Sequence, residues 1–278
     1  MKDFFLFMAA PMVACLFLTG IHGYLGIHVI SRGVIFVDLA LAQIAALGAA
    51  IGVLFGLEVA SHPSYVMSLG ATTLGALLLS AAHFRNHKVP QEAIIGVVYA
   101  VAAAAVILVM DRAPHGDEHI KQLLVGHLLW INWREVAMEG VAYSLIGLVY
   151  FLARKQIHLI SLNPAAAQTQ GLRIFWWDLL FYGLFGFVVT ISVQIAGVLL
   201  VFAYLIVPAI IGTFFAQSFG QRLLTGWGIG LVVSLIGCTL SYALDLPTGA
   251  TIVVTFGLVL ILAGLVYRLV PSAAPTSA

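Results

Sequence analysis

Charge is scarce in this chain. Lys, Arg, Asp and Glu make up 8% of its 278 residues, against about 25% in soluble domains, and none occurs between Leu179 and Gln221. A helix needs about 20 apolar residues to cross a bilayer's hydrocarbon core, so that stretch suffices for two crossings or one long, broken one. With 12 basic and 11 acidic residues, no charge excess points to nucleic acid. Cysteine is scarce too: Cys15 and Cys238 both sit in apolar runs, and two thiols make no disulfide framework. Several catalytic motifs are missing. Without a Gly-Lys-Ser/Thr phosphate loop or a His-Glu-x-x-His pair, neither ATP splitting by this chain alone nor a zinc protease of that type is expected. There is no Gly-x-Ser-x-Gly elbow either. A secretory signal peptide over Phe4–Leu18 is disfavoured, because the apolar run continues past any cleavage site and more spans follow.

What is present is apolar sequence, with a mean hydropathy of +1.10. Charges and turn residues divide it into blocks near 4–30, 34–56, 64–83, 92–110, 137–153, 177–194, 196–214, 222–243 and 248–269. No short alternating strands occur, so the blocks read as helices rather than a barrel. The expected fold is all-α, one transmembrane helix bundle over residues 1–278 with eight or nine spans. The number depends on whether the pair between 177 and 214 is one kinked passage. Arg32, Arg85 and Lys88, Arg154, Lys155 and Arg173, Arg222 and Arg268 mark alternate span ends. Basic residues favour the cytoplasm, so nine spans place the N-terminus outside and the C-terminus inside. Arg112, Lys121 and Arg134 run against this pattern.

Glycines repeat every four residues at Gly48, Gly52 and Gly56, and again at Gly226 and Gly230. Such spacing lets helix backbones approach closely. It reads as bundle packing, or more sharply as a second span at the bundle's centre. Two loops are longer than turns. The outer one, Asp111–Glu135, holds His115, Asp117, Glu118 and His119, whose i,i+4 histidines could hold a metal on a helix or belong to a solvated polar loop. The inner one, Arg154–Trp176, holds Asn163-Pro164, a helix-start signal, and Gly171, a plausible stop. The enclosed segment reads as a short cytoplasmic helix, too small to stand without a partner.

Asp38 is a carboxylate in an otherwise apolar span. Inside the bilayer such a group costs a few kcal/mol and usually faces a cavity or partner; near the span's end it could instead anchor at the interface. Gln43 lies about 500° further around the helix, some 140° from Asp38, so the two do not share a face. His22 and His28 end the first span, as satisfied polar groups or as metal ligands. His83 and His87 lie beside Arg85 and Lys88 and read as a basic inner loop. Pro208 removes a backbone donor from a long apolar run and is expected to kink or break it.

Four segments together resemble a known family: Gly33–Asp38 running on to Gly48, Gln91–Gly96, Gly197–Ala209, and Ser241–Ala250 with Asp245 and Pro247. In this order and spacing the chain resembles the membrane permease of manganese, zinc and iron ABC importers. The resemblance implies a homodimeric or paired, multi-pass permease of the bacterial inner membrane, not itself an enzyme and with no intrinsic cofactor. A cytoplasmic ATPase dimer would bind ATP and drive it, and an extracytoplasmic binding protein would deliver the metal ion. Asn163, Pro164, Gln168 and Gly171 fall where such permeases keep the helix that docks on the ATPase, and Glu92 begins the fourth span in the matching way. Pro208, Asp245 and Pro247 fall in the segments expected to form gate and hinge. The family carries an Asp and a His one turn apart in the second span. Aligned on Gly48, Gln43 takes the histidine position and Asp38 is displaced by one. Either the implied ion route is rebuilt around Asp38 and Gln43, or the metal contact has moved, with His127 in Gly126-His-Leu-Leu129 as a candidate replacement. Readings outside the resemblance are a carrier or channel working alone, and a membrane metalloenzyme using His115, His119 and His127.

Overall fold

A computed structural model describes residues 2–58, 61–85, 90–113, 116, 118 and 124–269. In lipid every backbone polar group must be satisfied within the protein, and this apolar chain meets that demand with helices. They are α1 (Lys2–Arg32), α2 (Val37–Leu54), α3 (His62–Arg85), α4 (Gln91–Met110), α5 (Trp133–Leu152), α6 (Arg154–Leu162), α7 (Pro164–Thr169), α8 (Ile174–Phe215), α9 (Phe219–Leu244) and α10 (Thr248–Leu269). Eight of these are long and apolar enough to cross a membrane. Polar side chains mark the starts. Asn132 and Glu135 form a capping box at α5, and Ser218 and Gln221 form another at α9. Each satisfies two otherwise orphaned backbone donors.

The helix α8 crosses twice. A straight helix would set Asp178 and Ala209 roughly 46 Å apart. Yet Asp178 binds Arg32 at 2.7 Å, while a Cβ added at Gly26 would come within 3.1 Å of Ala209. Arg32 and Gly26 are separated by only about 9 Å along α1. The chain therefore turns back, and it does so at Gly197, whose φ of 76° and ψ of 160° are open essentially to glycine alone. Two legs, 174–196 and 198–215, make nine passages out of eight long helices. Pro208, the residue expected to interrupt this run, lies inside the second leg and keeps helical geometry; within α8 only Gly197 leaves it.

Burial follows the same logic. The most buried long helix is α8, followed by α1 and α2; α8 packs on α1, α2, α3, α9 and α10. The centre of the bundle is thus α8 rather than the second span. The helix α2 packs chiefly on α3 and α4, and Gly48 serves that contact: a Cβ there would meet the Met67 carbonyl oxygen at 2.7 Å. Gly56 instead ends α2 with a φ of +80°. Gly226 and Gly230 face Pro208 and Thr19, so the α9 pair does clear a packing face.

Candidate functional site

One end of the bundle gathers the starts of α2 and α4. Asp38 is the second residue of α2, in its first turn, and is 1% exposed. Neither carboxylate oxygen has a hydrogen-bond partner among the described residues. The side chain therefore does not reach the protein surface, although it stands near the end of its span. Glu92, in the first turn of α4, accepts a hydrogen bond from the Phe36 backbone N–H at 3.0 Å. A carboxylate from α4 thus serves the start of α2, where the helix dipole favours negative charge. Gln43 is also buried and sits about 7.5 Å further along α2.

His127 is not part of this group. Asp38 lies beside the start of α4, and His127 follows the far end of that helix, about 30 Å along it. Its backbone N–H donates to the Ile195 carbonyl at 2.9 Å, and its Nε2 is 3.7 Å from Glu135 Oε2. The structure brings Asp38 and Gln43 into one region and leaves His127 toward the opposite end of the bundle. His115, Asp117 and His119 lie outside the described residues, and Glu118 is exposed. His22 and His28 are buried and hydrogen-bonded: His22 to the Leu18 carbonyl and Ser192, His28 to Ser161. Arg112 sits 4.0 Å from Asp111 at the outer end, which offsets a charge on the unexpected side.

The segment 163–171 folds as its signals require. The Asn163 side chain accepts from the Ala166 N–H at 3.0 Å, Pro164 occupies the first turn, and Gly171 ends the helix at φ +75°. Only Ala167 is buried; it packs with Ile160 and Ile174. Pro164, Ala165, Gln168 and Gly171 are exposed. A six-residue helix with a single anchored side chain presents the rest of its surface outward.

Sequence reasoning missed the ion pair that holds this segment's base. Arg32 Nη1 lies 2.7 Å from Asp178 Oδ1, with the side chains 7% and 0% exposed. Arg32 Nε donates to Ser161 Oγ at 2.9 Å, and its guanidinium lies 4.1 Å over the Phe181 ring. Ser161 also meets His28 Nδ1 at 3.0 Å. The cluster ties α1, α6 and α8 together two residues before Asn163. Glu139, buried in α5, was likewise unread; its oxygens have no partner among the described residues. At the C-terminal end of α9, Asp245 caps the helix in the left-handed region, φ 53°. The turn after it is fixed by Ser241 Oγ, which is 2.7 Å from both the Leu246 carbonyl and Thr248 Oγ1.

Comparison with known proteins agrees with this architecture. The chelated iron transport system membrane protein YfeD of Yersinia pestis is 28% identical, over 78% of this chain and 73% of that protein. The manganese import system permease protein ScaB of Streptococcus gordonii is 23% identical, over 92% and 89%. The solved structure of PsaBC from Streptococcus pneumoniae in complex with Fab shares the fold, with a TM-score of 0.77 over 92% of this chain and 90% of that one at 19% identity. The sequence pattern of the ABC 3 transport family matches residues 4–267, from the first helix into the last, and the chain belongs to that family.

Proposed function

We propose that this chain is the permease subunit of an ABC importer that passes a divalent transition-metal ion (zinc, manganese or iron) into the cytoplasm across a bacterial inner membrane. Family membership carries the reading, and the names of the relatives, manganese and chelated iron transport proteins, support a metal ion as cargo. The chain supplies the passage and no ATP site. A separate ATPase dimer does that work, an extracytoplasmic protein delivers the ion, and a second permease copy completes the passage. Support for the ATPase contact comes from the outward-facing surface of Pro164–Thr169 on a braced base.

Asp38 and Gln43 line the inner part of the route in this reading. A buried carboxylate with no hydrogen-bond partner among the described residues suits a passing cation, since desolvated charge is otherwise costly. Gln43 offers a neutral oxygen where an imidazole would bind zinc better, so the pair favours harder ions. His127, with Glu135 beside it, provides an outer contact. Pro208, Asp245 and Pro247 act as gate and hinge positions. The test is elemental mass spectrometry of cells lacking the gene, grown in metal-poor medium. A deficit in one metal, restored by the intact gene and not by Asp38→Asn, is expected. If no metal changes, the cargo is something else. If import survives removal of 164–169, the chain works alone as a carrier or channel.

A further inference from the structure

Away from Asp38 and Gln43, on the other side of α1, lies a cavity of about 870 Å³ bounded by α1, α5, α6 and α9. Its body is apolar, formed by residues such as Leu16, Ile21, Phe151 and Leu223. Leu16 and Phe151 are half exposed or more, so the groove opens toward the surrounding bilayer. From Leu16 to His28 it follows α1 for about 18 Å, comparable to the ~15 Å depth of one leaflet's hydrocarbon.

The inner end is different in kind. Arg154, Lys155 and His158 line it from α6, and no Asp or Glu is among the lining residues. His28 lines it from α1. That side chain is 1% exposed, its Nδ1 is engaged by Ser161, and its Nε2 has no partner among the described residues. The Tyr24 hydroxyl, also on the lining, has none either. An apolar slot one leaflet deep, closed by two fixed cations and two unsatisfied polar groups, matches an amphiphile with a negative head. A free phosphate would leave the apolar length unused, and a zwitterionic lipid would bring its own ammonium beside Arg154 and Lys155 with no Asp or Glu on the lining to receive it.

We propose that this groove binds an anionic phospholipid of the inner leaflet. Its phosphate sits among Arg154, Lys155, Tyr24 and His28, and an acyl chain lies along α1 toward Leu16. Basic pockets between transmembrane helices on the cytoplasmic side recognise such headgroups. The headgroup then touches His28, which shares Ser161 with Arg32, the residue bracing the 163–171 segment. Only the membrane placement of the bundle is required, not its cargo or its ATPase.

The test is native mass spectrometry of the purified full chain with phosphatidylglycerol or phosphatidylcholine of matched chains. Phosphatidylglycerol is expected to be retained about tenfold better, and the Arg154→Gln/Lys155→Gln variant to lose most of that preference. Leu223→Trp, which fills the slot and keeps the charges, is expected to expel the lipid while leaving the melting temperature near that of the parent. Equal retention of the two lipids, or an unchanged preference in the double variant, overturns the proposal. So does displacement of the lipid by inorganic phosphate alone, which would mark a simple anion site. A photoreactive residue in place of Leu16 distinguishes the remaining occupant: crosslinks to lipid support the proposal, and crosslinks to a second copy of the chain overturn it.

Discussion

Gly126 and Gly197 meet backbone to backbone. A Cβ on either would come within 2.5 Å of the other's amide nitrogen, and both have positive φ, 71° and 76°. The outer loop thus rests on the point where α8 reverses, and the His127 N–H closes the contact on the Ile195 carbonyl. Alanine at 197 faces both a disallowed backbone conformation, costing about 1–3 kcal/mol, and a collision with another main chain. Gly197→Ala is expected to lower the melting temperature of the detergent-solubilised chain markedly. Gly183→Ala, where nothing lies within 4 Å of the new methyl, should leave it unchanged. Equal melting of the two variants would remove the reversal from Gly197.

The Arg32–Asp178 pair is buried enough for its removal to be costly. Taking away one partner of such a pair strands the other charge, at about 3–5 kcal/mol, whereas replacing both by apolar groups is often tolerated. Asp178→Leu and Arg32→Leu should each destabilise strongly, and the double variant should recover much of the loss. Thermal melts of the three variants decide it. Additive losses would mean that the pair does not act as a unit.

Asp38→Asn keeps the shape of a buried side chain and removes its charge. Metal accumulation should fall toward that of the gene-deficient strain, with the protein level in the membrane unchanged. Gln43→His, which restores an imidazole, should raise zinc uptake relative to manganese. An unaltered metal ratio would take Gln43 off the ion's route.

The α7 surface can be probed without touching its anchor. Ala165 and Gln168 are exposed and Ala167 is buried, so Ala165→Glu/Gln168→Glu should abolish co-purification of the ATPase while the chain still folds. Ala167→Glu should instead destabilise the segment itself. Full ATPase recovery with the exposed double variant would exclude α7 as the docking helix.

Pro208→Ala restores a backbone donor within the second leg of α8. Transport should fall while dimer assembly and ATPase binding persist, as read by metal uptake beside co-purification. Normal uptake would end the hinge role.

The fold was legible because lipid makes hydropathy decisive. Nine apolar blocks became nine passages, and Asn163, Pro164 and Gly171 marked a helix through local backbone chemistry. The reversal point was harder to place. Proline signals a break from sequence alone, but Gly197 is intelligible only once Gly126 is seen against it. The Arg32–Asp178 pair joins residues 146 positions apart. Each partner reads separately as an ordinary charge at a span end. Glu139 escaped for a related reason: six residues from Trp133, it sits where a loop carboxylate would be unremarkable, and only the packing of α5 on α1 buries it. The buried state of Asp38 likewise depends on neighbours that its own helix does not reveal.

The fold-back of α8 also bears on how the chain enters the bilayer. From Leu179 to Gln221 it carries no charge, so neither leg has a basic residue to set its own direction during synthesis. Orientation must come from the two feet, Arg173 and Arg222, which face the same compartment. The two legs thus share one base, with a basic residue at each foot and none between them. A lysine introduced at the tip would place a basic residue opposite Arg173 and Arg222, against the bias that keeps such residues on the cytoplasmic side.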